Sequence, residues 1–464
     1  MKVVLFGTGI LYRQYKDLVR KDDSIIGIID NDINKIGTML DGIKIESPSE
    51  IVNFEFDIVI CMNADPVEMI DQLLSLGIAR KKIKFIREYF GDVYAGVMDI
   101  HNNCKVKNKS KNILFFLPSV NTVGGNLVVL TAADCLSSAG YNVVFALPPQ
   151  KQIQEKKLIY DELERRNFDY VIMYSMPYLS DEEIKYAQQF DYLIVNSINL
   201  IRCVYLLQKR VKMIWWMHDP ISNYQRTKNE FEEVFSEKEL LNVPTYAVSH
   251  IAQKNFQEYF PESDIGLLKF CVPDIAKELN YPKDDELVFA VIGYIDEIKG
   301  QDIFLKAFRS IPMEKRRNVK CYIVGRKVKD AYYNYVRKLT GDDEKIVFTG
   351  EISHEKMKEI YKEIDVVVCT SRQETMSAVL IEGAMNGKVM ISSDITGMAP
   401  YITEKENGLI FESEDYEDLA TKMEWMIDNR DKINTMGECA RQLYEREFTP
   451  DVFTSNIKGI LGRL

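Results

Sequence analysis

The chain has 464 residues, of which 46% are hydrophobic and 28% charged, with 24 glycines and 14 prolines; this composition excludes disorder, collagen and coiled coil, and the length implies two or three domains. Its 59 basic and 70 acidic residues leave a net charge of −11, so no global field attracts a polyphosphate backbone and nucleic acid is not an expected partner. The eight cysteines, at 61, 104, 135, 203, 271, 321, 369 and 439, show no C-x-x-C spacing and read as buried hydrophobes in a reducing compartment. With no apolar run of ~20 residues and no signal-peptide pattern in MKVVLFGTG, the expectation is a cytoplasmic multidomain protein.

Short apolar runs alternate with helical-period stretches almost throughout, the pattern of βαβ units and parallel sheets. The first series opens with a strand at Lys2–Phe6, a glycine turn and a helix to about Val19. Strands at Ile25–Ile29, Ile58–Cys61 and Ile83–Ile86 complete it, giving a small domain over 1–95. The periodicity then lapses, with Lys105, Lys107, Lys109 and Lys111 alternating with mostly polar residues, so 96–111 reads as a solvated linker. The second series, 112–280, opens with Ile113–Leu117, a Gly124-Gly125 loop and a helix over Leu127–Ala139. Strands follow at Val143–Ala146, Tyr170–Tyr174, Tyr192–Val195, Met213–Trp216 and Tyr246–Val248. Tyr281 to Asp285 reads as a hinge into the third series, 281–464. There the expected strands are Leu287–Ile292, Lys320–Val324, Ile346–Phe348, Val366–Cys369 and Val389–Ser392. The net charges of 1–111, 112–280 and 281–464 are 0, −5 and −6, so no segment hides a strongly basic face.

The stretch most informative about chemistry is Ser371 to Gly397, SRQETMSAVLIEGAMNGKVMISSDITG. It follows the buried strand DVVVCT and contains a helix from about Ser377 to Met385, stopped by Asn386-Gly387. Glu374 lies in the loop at the strand's carboxyl end, and Glu382 lies on the helix. In an open α/β sheet that crevice receives ligands. Amides around Ser377 suit a phosphate, Glu382 suits ribose hydroxyls, and Glu374 suits a sugar hydroxyl. On spacing alone, two solvated helix-end carboxylates are the better fit.

This stretch resembles the E-x7-E signature of retaining glycosyltransferases of family four, which have the two-domain GT-B fold. IGYIDEIKG (Ile292–Gly300) is similar to the family's Gly–Arg–x4–Lys–Gly loop, and CYIVGR (Cys321–Arg326) to its "IVG" turn. The run VFTGEISHEKMKEIYKEIDVVVCTSRQE resembles the lead into the signature, and SDITGMAPYITEKENGLIF the loop ending in "N-G-L-L". LPSVNTVGGNLVVLTAADCLSSAGYNVVF, WWMHDP and YAVSH look like N-domain features. The similarity runs from about Asn112 to Leu464. It implies two facing Rossmann-like domains preceded by a small Rossmann-like parallel-sheet domain.

The resemblance implies transfer of a sugar from a UDP-, GDP- or dTDP-linked donor to a hydroxyl of a glycan or lipid-linked acceptor, with retention and without a metal or other cofactor. The pathway implied is surface polysaccharide or glycoconjugate biosynthesis. Lys299 is the main cation for the leaving diphosphate, and Tyr294 stands where the family has its arginine. Tyrosine carries no charge near neutral pH, so Arg326 is the candidate second cation. Gly124, Gly125 and Gly293 allow close backbone approach to the donor. His218 faces the transferred sugar or the acceptor, or serves as a cap or core residue, and Asp219 orients it or caps the loop before Pro220. Thr375 and Met376 occupy positions where the family has glycine and an aromatic. No general base is assigned. The last helix, about Val452–Leu461, is expected to cross back to the N-domain.

In the first segment, VVLFGTGILYRQY has G-x-G-x-x-Y in place of G-x-G-x-x-G, and Asp30-Asn31-Asp32 follows the second strand, where an acid would meet a ribose. The run from Gly27 to Glu50 resembles the small Rossmann-like domains appended to polysaccharide-biosynthesis proteins, for which docking or scaffolding is the favoured role. Two alternatives stand beside the transferase: a nucleotide-sugar oxidoreductase or epimerase centred on the first domain, and a non-catalytic sugar-nucleotide-binding protein. Lys209, Arg210 and Lys212 beside Trp215 and Trp216 raise peripheral contact with the inner face of the membrane, although the tryptophans read more readily as buried strand residues. Oligomeric state is not legible.

Overall fold

The structure is a computed structural model that describes residues 1–63, 66–103, 111–121, 125–149, 159–276, 278–279, 286–341 and 343–464. Gly124 and the expected hinge Tyr281–Asp285 lie outside these residues. The chain divides into two compact units, Met1–Thr245 with Tyr259–Asp264 and Leu464, and Tyr246–Glu258 with Ile265–Arg463.

The first unit opens with a six-stranded sheet ordered Met39–Leu40, Ile43–Glu46, Ser24–Ile29, Lys2–Phe6, Ile58–Cys61, Ile83–Phe85. All neighbours are parallel except the short hairpin of the first two. That hairpin is absent from the sequence reading, because its strands are two and four residues long and carry little periodicity. Along Lys2–Phe6 the side chains alternate between two cores: Val3 and Leu5 pack on one face and Val4 and Phe6 on the other. Both faces are therefore covered, as parallel sheets require.

The second sheet of this unit contains, in order, Met213–Met217, Tyr192–Asn196, Lys111–Phe116, Tyr141–Leu147, Asp169–Met173 and Met98–His101. The first five are parallel and the last is antiparallel. Met98–His101 corrects the sequence reading, which assigns 96–111 wholly to a linker. The strand's side chains are exposed or half-buried, so it carries no apolar alternation, and backbone pairing with Asp169–Met173 creates it. Chain order across the parallel strands is 3-2-1-4-5, so the connections reverse between Lys111–Phe116 and Tyr192–Asn196.

The small sheet domain is joined to this second sheet through the helix Ile86–Val93. Gly91 lies so close to Tyr178 that a Cβ there would stand 2.8 Å from the tyrosine Cβ. The Tyr94 and Tyr174 ring centroids are 5.3 Å apart. Arg87 Nη2 stands 2.5 Å from Glu230 Oε2, whose side chain is 4% exposed.

In the second unit six parallel strands run in the order Ile346–Gly350, Val319–Val324, Leu287–Ile292, Val366–Cys369, Val389–Ser393, Gly408–Phe411. In chain order this is 3-2-1-4-5-6, the doubly wound arrangement whose switch point lies between the first and fourth strands. Phe289, Val291, Ile323, Val368 and Ile391 form its core with the helices Gln301–Ser310 and Tyr416–Asp428.

Candidate functional site

The switch point of the second unit gathers most of the residues singled out in the sequence. After the strand Leu287–Ile292 the chain turns through Gly293 and Tyr294 to Lys299, and Gly300 starts the helix Gln301–Ser310. Gly300 has φ +67°, and a Cβ there would lie 2.2 Å from the Thr370 carbonyl oxygen, so only glycine lets this loop rest against the end of the fourth strand. Gly325 is equally constrained: at φ +145° its Cβ would meet the Gly293 carbonyl oxygen at 1.8 Å. These approaches draw the loops after strands one, two and four onto one another.

Lys299 and Glu374 meet as a result, with Nζ 2.5 Å from Oε2 and the side chains 32% and 14% exposed. Burial, the largest single influence, works against the Lys299 ammonium, but the Glu374 carboxylate together with Cys369 and Asp296 holds the pKa above the ordinary lysine value. Ser371 Oγ also donates to Glu374 at 3.4 Å. Arg326 lies with its guanidinium carbon 4.7 Å from the centroid of the Tyr294 ring. Tyr294 is thus the platform on which Arg326 rests. Ser377 caps the helix Ala378–Met385 by accepting from the Leu380 amide at 3.4 Å. Met376 is buried beside it, and the Thr375 carbonyl accepts from Ser249 Oγ at 2.5 Å. Glu382, the fifth residue of that helix, accepts a hydrogen bond from Tyr361 Oη at 2.9 Å. The pair Glu374 and Glu382 therefore sits at a strand end and on the following helix, as the spacing predicts.

One residue of this loop escaped the sequence reading. Arg372 forks onto Asp302 with bonds of 3.0 and 3.1 Å, donates to the Glu297 carbonyl at 2.6 Å and reaches Glu414 at 2.7 Å. Tyr332 Oη donates to the same Asp302 at 2.7 Å. Burial alone would raise the Asp302 carboxyl, but the bonds from Arg372 and Tyr332 bring it below the usual carboxylate range. This clamp ties the Glu374 loop to the helix that follows Lys299. An arginine two residues before the first glutamate was its only signal in the sequence.

The first unit holds a second group at its own switch point. A cavity of about 250 Å³ lies beyond the ends of Lys111–Phe116, Tyr192–Asn196 and Met213–Met217, lined among others by Ser119, Gly125, Asn126, Asn196, His218 and Asp219. Gly125 begins the helix Gly125–Ser138, and a Cβ on it would be 3.8 Å from His218 Cβ. The His218 ring stands edge-on to Trp216, centroids 4.4 Å apart, and desolvation pulls its imidazole down to about 3. Trp215 and Trp216 are fully buried strand residues.

Asp219 accepts from Ser197 Oγ and the Ile198 amide, both at 2.8 Å, and from Asn223 Nδ2 at 3.0 Å. It braces the turn after Asn196, where Ser197 has φ +85°. The acid of the small domain is similarly engaged. Asp30 is buried and accepts from the Thr8 amide at 2.8 Å, Thr8 Oγ1 at 2.5 Å and the Asp32 amide at 2.9 Å. It holds its own glycine turn, and Tyr12 Oη bonds to Asp41 at 2.7 Å.

Comparison with known proteins agrees with this layout. Residues 274–443 match the family model Glycosyl transferases group 1, and residues 109–267 match Glycosyl-transferase family 4. HepE from Anabaena, solved in complex with UDP and glucose, superposes with a TM-score of 0.63 at 16% identity, covering 76% of this chain and 100% of its own. The matches support a GT-B glycosyltransferase. The N-terminal sheet domain matches, over residues 1–84, the model C2185-like, N-terminal. An uncharacterized glycosyltransferase of Haemophilus influenzae is 23% identical over 368 residues, 76% of this chain and 100% of its own length. The D-inositol 3-phosphate glycosyltransferase of Corynebacterium aurimucosum is 25% identical over 171 residues, 35% of this chain. The match spans 40% of that relative's own length. Among the described residues no helix is long and apolar enough to cross a membrane.

Proposed function

We propose that the chain transfers a sugar, with retention, from a UDP-, GDP- or dTDP-linked donor to a hydroxyl of a glycan or lipid-linked acceptor, in surface polysaccharide or glycoconjugate assembly. The observation that carries this reading is the Lys299–Glu374 pair at the switch point, 2.5 Å apart, with Arg326 on the neighbouring strand end. Departure of a nucleoside diphosphate builds negative charge on its phosphates, and a preorganised, partly desolvated ammonium stabilises that charge as it forms. Arg326, stacked on Tyr294, supplies the second cation. Glu374 holds Lys299 in place before the donor arrives and then accepts a hydroxyl of the transferred sugar. Glu382 holds the ribose from the helix, and Gly293, Thr375, Met376 and Ser377 shape the backbone around the diphosphate. His218, kept neutral, exchanges hydrogen bonds with sugar hydroxyls rather than acting as a cation. No metal is required in this scheme. The engagement of Asp30 by Thr8 weighs against the dinucleotide oxidoreductase alternative, since the ribose-reading acid is spent within its own turn.

A panel of UDP-, GDP- and dTDP-sugars tests the proposal by thermal shift and by slow donor hydrolysis. One nucleotide series is expected to stabilise the protein and to be hydrolysed slowly without acceptor. Absence of stabilisation by every nucleotide would end the transferase reading.

A further inference from the structure

The Lys299–Glu374 pair is flanked on both sides by a second ion pair. Arg372 stands two residues before Glu374, and Asp302 stands three residues after Lys299. Four of the five N–H groups of the Arg372 guanidinium are engaged: Nε with Glu414, Nη1 with both the Glu297 carbonyl and Asp302 Oδ1, and Nη2 with Asp302 Oδ2. The Arg372 amide donates to the Ile298 carbonyl at 2.7 Å. One residue further on, the Lys299 carbonyl accepts from Thr370 Oγ1 at 2.9 Å, and the Lys299 amide donates to Asp296 Oδ1 at 2.9 Å. The backbone around Lys299 is therefore stitched to the segment that leads into Glu374.

A guanidinium so near Glu374 would, if unattached, compete with Lys299 for that carboxylate. Asp302, 6% exposed and held also by Tyr332 Oη at 2.7 Å, removes the competitor. The same engagement keeps Arg372 from serving as a phosphate ligand, because its fork is already filled by a carboxylate. A lysine at this position could not reproduce the fork, since one ammonium cannot span both Asp302 oxygens and the Glu297 carbonyl in one plane. We propose that Arg372, acting through Asp302, is a positioning residue that fixes Lys299 against Glu374 and reserves Glu374 for it. The inference rests on the transferase reading for the purpose of that pair, and it adds the residue that sets the pair's geometry.

The test uses the full chain with Arg372→Lys and, as a second route to the same break, Asp302→Asn. UDP, GDP and dTDP are titrated by calorimetry, and kcat and KM are measured for hydrolysis of whichever of their glucose and N-acetylglucosamine esters turns over without acceptor. Lys299 stays tethered in both variants and still reaches a bound diphosphate, so nucleotide affinity and KM are expected to hold within about threefold. The kcat is expected to fall about 10- to 100-fold, the scale of a misplacement near 1 Å. Trace acetylation with acetic anhydride, read by mass spectrometry, reports on the pair without any nucleotide. Losing its counterion lowers the Lys299 pKa, and each unit lowered exposes about tenfold more free amine. Lys299 should therefore label at least about threefold faster in both variants, relative to Lys315, which is paired with Glu424 at 2.8 Å. An unchanged labelling ratio, or a kcat for Arg372→Lys within about threefold of the unaltered chain, would overturn the proposal. So would equal losses of kcat and nucleotide affinity, the pattern of general damage to the site. Where Arg372→Lys fails to fold, Asp302→Asn, which keeps an acceptor for Tyr332, carries both measurements. A chain that binds no nucleoside diphosphate but shows the labelling change keeps this inference and ends the transferase reading.

Discussion

Lys299 and Glu374, 75 residues apart in the chain, form an ion pair at the point where the strand order of the second unit reverses. The ammonium thus already has a counterion, and an incoming diphosphate must share or displace it. Lys299→Ala should weaken UDP binding about ten- to hundredfold, the range of a charge-assisted hydrogen bond. Glu374→Gln removes the competing carboxylate, so UDP affinity should hold or rise while turnover of the sugar donor falls. Calorimetric titration with UDP beside a donor-hydrolysis assay separates the two effects, and a parallel loss of UDP affinity in both variants would contradict the assigned roles.

The Arg326 guanidinium lies over the Tyr294 ring, 4.7 Å from its centroid. Arg326→Ala is expected to lower UDP affinity about tenfold by removing a charge-assisted contact, whereas Tyr294→Ala should cost only about two- to fivefold, the worth of an exposed cation–π platform. If Arg326→Ala leaves both affinity and turnover unaltered, Lys299 acts without a second cation.

His218 carries a pH signature. Its folded-state pKa is pulled from the ordinary value to about 3 by desolvation. Between about pH 6.5 and 3 the unfolded chain therefore binds a proton that the folded chain refuses. This contribution to stability is intact above pH 6.5 and is lost as the pH falls toward 3, by at most about 1.4 kcal/mol per pH unit. Urea unfolding of the unaltered chain and of His218→Asn at pH 7, 6 and 5 should show the smaller acid loss in the variant. Parallel curves would mean that His218 is solvated.

Arg87 ties the small sheet domain to the helix Ile221–Glu230 through Glu230. Glu230 ends the helix Ile221–Glu230, where the helix dipole disfavours a carboxylate, and its side chain is 4% exposed. Arg87→Ala leaves that charge buried and should cost near the lower end of the ~3–5 kcal/mol seen when a buried pair is broken, since Arg87 itself is 30% exposed. The double variant Arg87→Ala with Glu230→Gln should recover most of the loss. A double-mutant cycle by chemical denaturation measures this, and an interaction energy near zero would show that docking rests on Gly91, Tyr94 and Tyr174 alone.

Much of this protein was written in local pattern. The strands at Lys2–Phe6, Ile58–Cys61, Leu287–Ile292 and Val366–Cys369 match the sequence reading residue for residue, because strands buried on both faces read as unbroken apolar runs. The placement of Ser377, Glu374 and Lys299 in segments that follow buried strands was also legible, since polar side chains collect where a buried strand gives way to a loop. Other features were not. Met98–His101 is a strand because backbone hydrogen bonds from Asp169–Met173 reach it, and no apolar alternation announces it. The Arg372–Asp302 clamp, the Arg87–Glu230 pair and the Asn196–Phe116 bond join residues 70, 143 and 80 positions apart. Side-chain polarity advertises that a residue can make such a bond, but which partner lies within 3 Å is decided only when the sheets assemble and exclude water. The sequence by itself determined most strands of the sheets and the loops that follow them, because buried strands announce themselves as apolar runs; the tertiary structure decided which charges are neutralised and by which partner, because those bonds form only between residues distant in the chain.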